Sequence, residues 1–401
     1  MRSCVIVVEN LPVPLDRRVW QEALVLKRSG WDVSVICPRT KRHPEKRLQL
    51  EGIEIYRHSM PREGRGLLGY VMEYATALFH QAHLLAEIYR KKPFDVIHIC
   101  NPPDMLFLNV LPYKRLGVRV VFDHHDVCPE LFVSKYGKRG PIHSVLEFLE
   151  RQTFKIADVV VSANDTFRDL AISRGGKEPD KVFTVYSVPD LSRFKVISSR
   201  ARDSGPVVIG YVGVMGKQDG VDNLINAVID LKERVPSADV LCRIVGDGPE
   251  LNDLKQLVQS KQAQALFDFT GFVSGEELMR QFGSFDIGVI PDPPDEYNDK
   301  ISMNKVFEYS AIGLPIVAFR LSETTRLLGD AAIYVEEPTP AAMAAALLDL
   351  VLSPELRAHY GARAASRFAS RFDWKREAMR LVEAYDCAVV PQEKPVEILA
   401  Q

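Results

Sequence analysis

No run of eighteen apolar residues occurs in this 401-residue chain, so the sequence predicts no bilayer-spanning helix. Paired cysteine spacing is also missing. Cys4, Cys37, Cys100, Cys128, Cys242 and Cys387 form no Cys-x-x-Cys or Cys/His cluster, which argues against a metal site and for reduced, mostly buried thiols. MRSCVIVVEN has neither an h-region nor a cleavage site and leads straight into an apolar strand, so a cytoplasmic protein without a signal peptide is expected. The first β-α-β stretch lacks G-x-G-x-x-G, which disfavours a dinucleotide-binding domain.

What is present is an ordinary globular composition, 46% hydrophobic and 26% charged, on a chain long enough for about two domains. The net charge of −2 conceals an asymmetry: residues 1–195 carry 30 Lys and Arg against 23 Asp and Glu, and the remainder 21 against 30. A basic half is expected to meet something anionic, such as a phosphate-linked lipid acceptor or an anionic membrane surface. Nucleic acid is not expected, because the excess is modest and lacks interleaved aromatics. Residues 67–88 read as a long helix bearing Tyr70, Met72, Tyr74 and Phe79 beside the basic loop 38–47; it suits either a membrane interface or ordinary packing.

The chain is organised around residues 298–319, NDKISMNKVFEYSAIGLPIVAF. A polar loop enters a short helix, Gly313 ends it before Pro315, and Ile316–Phe319 reads as a buried parallel strand. Ser302, Met303 and Asn304 would offer backbone N–H groups at the positive helix end, Lys305 a cation, and Glu308 a carboxylate on the same face. That set suits a nucleoside diphosphate, although Lys and Glu three apart are also common as solvated surface pairs. Upstream, Val207–Val212 leads into a loop with Gly213, Gly216, Lys217 and Gly220, and Val240–Val245 leads into the turn GDGPEL with Gly246 and Asp247. Glycines there let backbone approach a diphosphate closely. Further strands are read at 267–272 and 287–290, and the Pro-rich acidic stretch 291–299 reads as a mobile lid rather than a metal site. In the first half, strands at 5–8, 94–100 and 118–122 end in loops bearing Asp16, Arg17 and Arg18, then Asp104, then DHHDVCPE with His124 and His125. Adjacent histidines alternate sides of an extended backbone, so one ring and not both is expected to face a site.

With these motifs the chain resembles family 4 glycosyltransferases of the GT-B architecture over about residues 3–386, most strongly over 207–335. The resemblance implies an α/β fold of two doubly wound Rossmann-like domains facing each other across a cleft. Its expected divisions are 1–195 on the acceptor side, 196–372 binding the donor, 373–386 as a helix crossing back, and a disordered tail at 387–401, with 195–206 as linker. It implies a retaining transfer from a UDP- or GDP-type nucleotide sugar to a saccharide or polyprenyl-phosphate-linked acceptor, with no metal or other cofactor, in bacterial surface polysaccharide or glycolipid synthesis, at the cytoplasmic face of the inner membrane. His125 would orient the sugar or acceptor hydroxyl, with His124 the alternative, and Lys305 and Lys217 would meet the leaving diphosphate. Gly213, Gly216, Gly246, Asp247, Phe272, Val273, Lys300, Ser302, Met303, Asn304 and Glu308 would line the donor; Asp16, Arg17, Arg18, Asp104 and His124 would serve the acceptor.

Three departures stand out. The family's Glu-x7-Glu has Lys300 at its first position, its Asn-Gly-Val-Asp is here Ser187-Val188-Pro189-Asp190, and its Arg and Lys in the first donor loop are reduced to Lys217. These leave open a non-catalytic nucleotide-sugar-binding subunit; a UDP-sugar epimerase of the same architecture is the other alternative.

Overall fold

The computed structural model describes residues 1–59, 66–195 and 205–389, without the side chains of 66–71 and 73. The core of the expected linker, 196–204, the Tyr70 side chain, and residues 390–401 of the expected tail lie outside the described residues. The chain divides into two compact units, one of Met1–Pro129, Arg139–Tyr186 and the stretch from Glu377, the other of Glu130–Lys138 and Ser187–Arg376.

The first unit is built on eight strands: β1 (Ser3–Val8), β2 (Asp32–Arg39), β3 (Arg47–Leu50), β4 (Ile53–Ser59), β5 (Val96–Cys100), β6 (Arg119–His124), β7 (Val159–Ser162) and β8 (Val182–Thr184). Their order is β3-β4-β2-β1-β5-β6-β7-β8, parallel except for the antiparallel edge pair β3 and β4. β1, β5 and β7 are buried at every residue, as parallel strands covered on both faces must be. Their connections include α1 (Arg17–Arg28), α2 (Gly66–Lys91), α3 (Phe107–Lys114), α4 (Cys128–Tyr136), α5 (Pro141–Ile156) and α6 (Asp165–Ser173). Asp16 caps α1 by accepting the Val19 N–H at 3.1 Å, and Asn164 caps α6 by accepting that of Phe167 at 2.7 Å. On α2, Ala77, Gln81, Leu85 and Ile88 face inward, while Met72 and Phe79 are 67% and 72% exposed.

The second unit carries β9 (Val207–Val212), β10 (Val240–Val245), β11 (Phe267–Gly271), β12 (Ile287–Ile290), β13 (Ile316–Phe319) and β14 (Ile333–Val335), wholly parallel in the order β11-β10-β9-β12-β13-β14. Its helices are α7 (Val221–Arg234), α8 (Leu251–Ser260), α9 (Gly275–Gly283), α10 (Asn304–Ala311), α11 (Ser322–Leu328), α12 (Pro340–Leu352) and α13 (Pro354–Arg371). The final helix, α14 (Trp374–Val389), packs on the first unit: the Tyr385 ring lies 5.1 Å from Trp31, and Glu377 accepts the Tyr186 N–H at 2.9 Å. Residues 387–389, expected in the tail, complete this helix. Among the described residues no helix is long and apolar enough to cross a membrane. Cys4, Cys37, Cys100 and Cys242 are buried and all six cysteines are unpaired.

Candidate functional site

Open parallel sheets bind ligands where strand order reverses, outside the carboxyl ends of the strands. In the second unit that point lies between β9 and β12. The loop after β9 is docked on the turn after β10: Gly213 N–H donates to Val245 O at 3.0 Å and Met215 N–H to Asp247 O at 3.1 Å. Gly246 has φ +139°, and a Cβ there would lie 1.9 Å from Gly213 O. The Gly246 N–H reaches Gly271 O at 3.0 Å, which brings in the end of β11, followed by the half-buried Phe272 and Val273. On the other side Gly220, φ +62°, has the Pro291 carbonyl 2.2 Å from its Cβ position. Asn298, 1% exposed, donates to Gln218 O and Pro293 O, both at 2.9 Å. The stretch 291–299, read from sequence as a mobile lid, is thus braced against the β9 loop.

The structure brings Gly213, Gly216, Gly246 and Asp247 into one set of turns. Helix α10 follows with Met303 as its N-cap, extended and without a side-chain hydrogen bond, so its first N–H groups point out of the helix. Asn304 is exposed there; the Ser302 hydroxyl donates to Glu323 at 2.9 Å, and Glu308 lies on the buried face, 3% exposed.

Two of the expected donor-side cations are ion-paired. The Lys305 side chain is 8% exposed, and its ammonium donates to both Asp292 oxygens at 3.1 and 2.9 Å while sitting 4.6 Å from the Tyr211 ring centroid. A buried ammonium needs a counter-ion, and Asp292 supplies it. Lys300 donates to Glu130 at 2.9 Å and Glu296 at 3.1 Å. Lys217 is exposed.

Asp219 was not singled out from sequence. Its carboxylate accepts the Gly216 N–H and the Gln218 side-chain amide, both at 3.0 Å. Burial pushes its carboxyl up to about 6, with Lys305 pulling the other way. A folded value above the unfolded one means that folding takes up a proton, so this group's stability is fully present below about pH 4 and lost as the pH rises through about 6, a change of roughly 2–3 kcal/mol. Asp219→Asn is therefore expected to raise unfolding free energy at pH 7.5 by about that amount and to leave it nearly unchanged at pH 4. Urea denaturation at both pH values checks this, and equal effects at the two would refute it.

In the first unit the predicted acceptor residues separate. Arg17 is exposed. Arg18 turns inward: Nε donates to Asp123 Oδ2 at 3.1 Å, one terminal nitrogen to Asp123 Oδ1 at 2.7 Å, and the other to Val185 O at 2.5 Å, with Glu22 at 3.1 Å from Nε. Asp16 is committed to capping α1. His124 is fully buried, its ring 4.8 Å from Phe167 and 5.1 Å from Phe154. Asp104 is 3% exposed, accepts from Asn101 Nδ2 at 2.8 Å, and is pushed up to about 6 by burial. Arg18, Asp104 and His124 are thus inside the fold, and the surface contacts expected of them give way to structural ones. His125 is the ring that stays accessible, 15% exposed and bonded through Nε2 to Asp123. Asn101, missed in the sequence, fixes its backbone: Oδ1 accepts the N–H of His125 at 2.7 Å and of Asp126 at 3.1 Å.

Glu22, Asp123 and His125 bring ligand-type atoms within 4.8 Å of one another, as do His98, Cys100 and Asp123. The positive charge that Glu22 and Asp123 share here is the Arg18 guanidinium.

Comparisons with known proteins agree with this layout. Residues 15–186 match the glycosyl transferase 4-like domain and residues 206–353 the glycosyl transferases group 1 family. A sulfoquinovosyl transferase of Arabidopsis thaliana is 28% identical over 263 residues, 63% of this chain and 47% of that protein. The chain spans about half the length of the curated relatives it matches. Among solved structures, sucrose-phosphate synthase from Thermosynechococcus elongatus is similar with a TM-score of 0.77 at 15% identity, covering 96% of this chain and 98% of that one. Anabaena HepE in complex with UDP has a TM-score of 0.68 at 14% identity, covering 96% and 100%. Two α/β units with their glycine turns at strand ends, and family matches over both, identify the chain as a member of family 4 of the glycosyltransferases, with the GT-B fold.

Proposed function

We propose that this protein transfers a sugar, with retention and without a metal, from a nucleoside diphosphate sugar to a saccharide or polyprenyl-phosphate-linked acceptor. The observation that carries the reading is the assembly of glycine turns and an open helix N-terminus at the β9/β12 strand-order reversal. Backbone N–H groups aimed at a leaving diphosphate stabilise its growing charge without reorganising. In this reading the N–H groups of Met303 and Asn304 and the loop from Gly213 to Gly216 receive the diphosphate, exposed Lys217 supplies the nearby free charge, and Glu308 binds the ribose. Lys305, neutralised by Asp292, holds the start of α10 in place. The UDP complex of a protein of similar fold supports a uridine-type donor. The basic first half supports an anionic, lipid-linked acceptor in bacterial surface polysaccharide or glycolipid synthesis, handled at the cytoplasmic face of the inner membrane.

A thermal-shift screen with UDP, GDP, ADP and their sugar conjugates, with and without Mg²⁺, tests this, because a ligand that binds only the native state raises its melting temperature. A base-selective shift independent of Mg²⁺ is expected, reduced to a small fraction in Glu308→Ala. Failure of every nucleotide to move the transition would overturn it. The locked state of Lys305 and Lys300 favours one second reading, a subunit that binds nucleotide sugar without turning it over. Binding without release of nucleoside diphosphate would select that reading.

A further inference from the structure

We propose that the outer face of α2, α3 and α5 docks on the surface of an anionic lipid bilayer, its apolar side chains entering the headgroup layer and the cations around them meeting lipid phosphates. The inference rests on the membrane-face part of the reading above and names the surface that serves it.

The three helices form one layer. Asn109 of α3 donates to Leu78 O of α2 at 3.1 Å, and Lys114, at the other end of α3, donates to Ile156 O of α5 at 2.6 Å. Each leads towards the next parallel strand of the sheet, so all three run the same way. Their inner faces share one core, entered by Leu85 and Ile88 of α2, Val110 of α3 and Phe154 of α5. Their outer faces are apolar as well. α2 turns out Met72 and Phe79; α3 turns out Leu108 and Leu111, and α5 Val145 and Phe148, 54% and 55% exposed. Of the sixteen exposed large hydrophobic side chains among the described residues, eight lie on these helices or at Leu116 just after α3. Scattered single apolar residues need no partner, but this concentration on contiguous helices marks a surface that is covered in use.

Charge says what covers it. α3 contains no acid. On α2 and α5 the acids whose side chains are described are Glu87, Glu147 and Glu150, and each already faces a cation. Glu87 accepts from Lys91 at 2.7 Å and from Arg47, Glu147 lies 3.8 Å from Arg151, and buried Glu150 accepts from Arg174 at 2.6 Å. Around the apolar side chains stand exposed cations: Arg139 before α5, Arg151 and Lys155 on its later turns, Arg115 after α3, and Arg90 near the end of α2. At a rise of about 1.5 Å per residue, Lys155 stands about 10 Å along α5 from Phe148, and Arg115 about 10 Å from Leu108. Apolar side chains that enter the boundary of headgroups and acyl chains thus carry cations within reach of the phosphates. A second copy of the chain on this face would set one basic rim against another, with its acids already paired; an anionic bilayer supplies the missing charge. α2, whose sequence suits packing or a membrane interface, does one with each face.

The test floats the full-length chain on vesicles of phosphatidylcholine alone and of phosphatidylcholine with about one third phosphatidylglycerol, at about 0.1 M and 0.5 M NaCl. Binding to the anionic vesicles is expected to be at least about tenfold stronger than to the neutral ones and to fall at the higher salt. Val145→Ser with Phe148→Ser, and separately Arg115→Gln with Lys155→Gln, should each lower it at least about tenfold, the second pair also flattening the salt dependence. Met379→Ser, exposed on α14, should change nothing. All five side chains are exposed, so urea midpoints should stay at the wild-type value, and the charge pair decides the matter if the apolar pair does not fold. A wild type that floats with neither vesicle, or equally with both, overturns the proposal, as does undiminished flotation of both double variants. So does a wild-type dimer that Val145→Ser with Phe148→Ser breaks into monomers, which would assign the face to a second copy. Thermal shift by nucleoside diphosphates keeps the two readings apart. A shift in a chain that does not float leaves the donor site standing without the membrane surface; flotation without any shift removes the transfer and keeps the surface.

Discussion

Arg18→Ala is expected to cost about 3–5 kcal/mol in unfolding free energy, while its neighbour Arg17→Ala stays within roughly 0.5 kcal/mol. Arg17 is exposed, and an exposed charge gains little from any one partner. Arg18 holds both oxygens of a fully buried carboxylate, at 3.1 and 2.7 Å, and a backbone carbonyl at 2.5 Å. Truncating it leaves Asp123 ionised without a counter-charge or forces it to take up a proton. The pH dependence follows. Asp123 is held below its ordinary range in the folded state, so its stabilisation is present above the unfolded value and lost as the pH falls into the acid range. In Arg18→Ala that acid sensitivity should diminish, because the depressed value is gone. Arg18→Lys should recover only part of the loss, since one ammonium cannot reproduce the two-pronged grip. Urea unfolding of the single variants and of Arg18→Ala with Asp123→Asn measures the coupling, expected at about 2 kcal/mol or more. Additive losses would mean the pair does not interact as described.

This contrast marks what could and could not be read from the chain. Val240–Val245, Ile287–Ile290 and Ile316–Phe319 are legible as strands because parallel strands buried on both faces are continuous apolar runs. β3 is not, because an edge strand with exposed side chains carries no apolar alternation; its first residue, Arg47, closes the stretch read as the basic loop 38–47. The turns at Gly213 and Gly246 are legible because only a few residue types fit them. Side-chain direction is not. Arg17 and Arg18 are identical in sequence, yet one faces solvent and the other a carboxylate 105 residues away. Alternation shows that His124 and His125 diverge, but not which ring enters the cage of Phe154 and Phe167. Lys305 reads as a phosphate ligand, and its bond to Asp292, 13 residues earlier, has no signal in the sequence. In each case the deciding partner is set by tertiary packing.

The second large effect is expected at Gly246, where the close approach of two turns is the site's construction. At φ +139° an alanine is strained by about 1–3 kcal/mol before any contact is considered. Its Cβ would also lie 1.9 Å from Gly213 O, backbone that cannot swing away, because Gly213 N and Met215 N are bonded to Val245 O and Asp247 O. The β9 loop must therefore separate from the β10 turn. Gly246→Ala is expected to destabilise by about 4 kcal/mol or more and to weaken binding of a nucleoside diphosphate at least about tenfold. Gly271→Ala is the control. It shares a positive φ, +70°, at the end of the adjacent strand, but nothing lies within 4 Å of its Cβ position. It should show only the backbone cost, about 1–2 kcal/mol, with binding nearly unchanged. Calorimetric titration with UDP and urea unfolding of both variants separate the two effects. If Gly246→Ala binds UDP as the wild type does, the diphosphate does not sit on these turns; if both glycines cost the same, strain and not close approach governs the site.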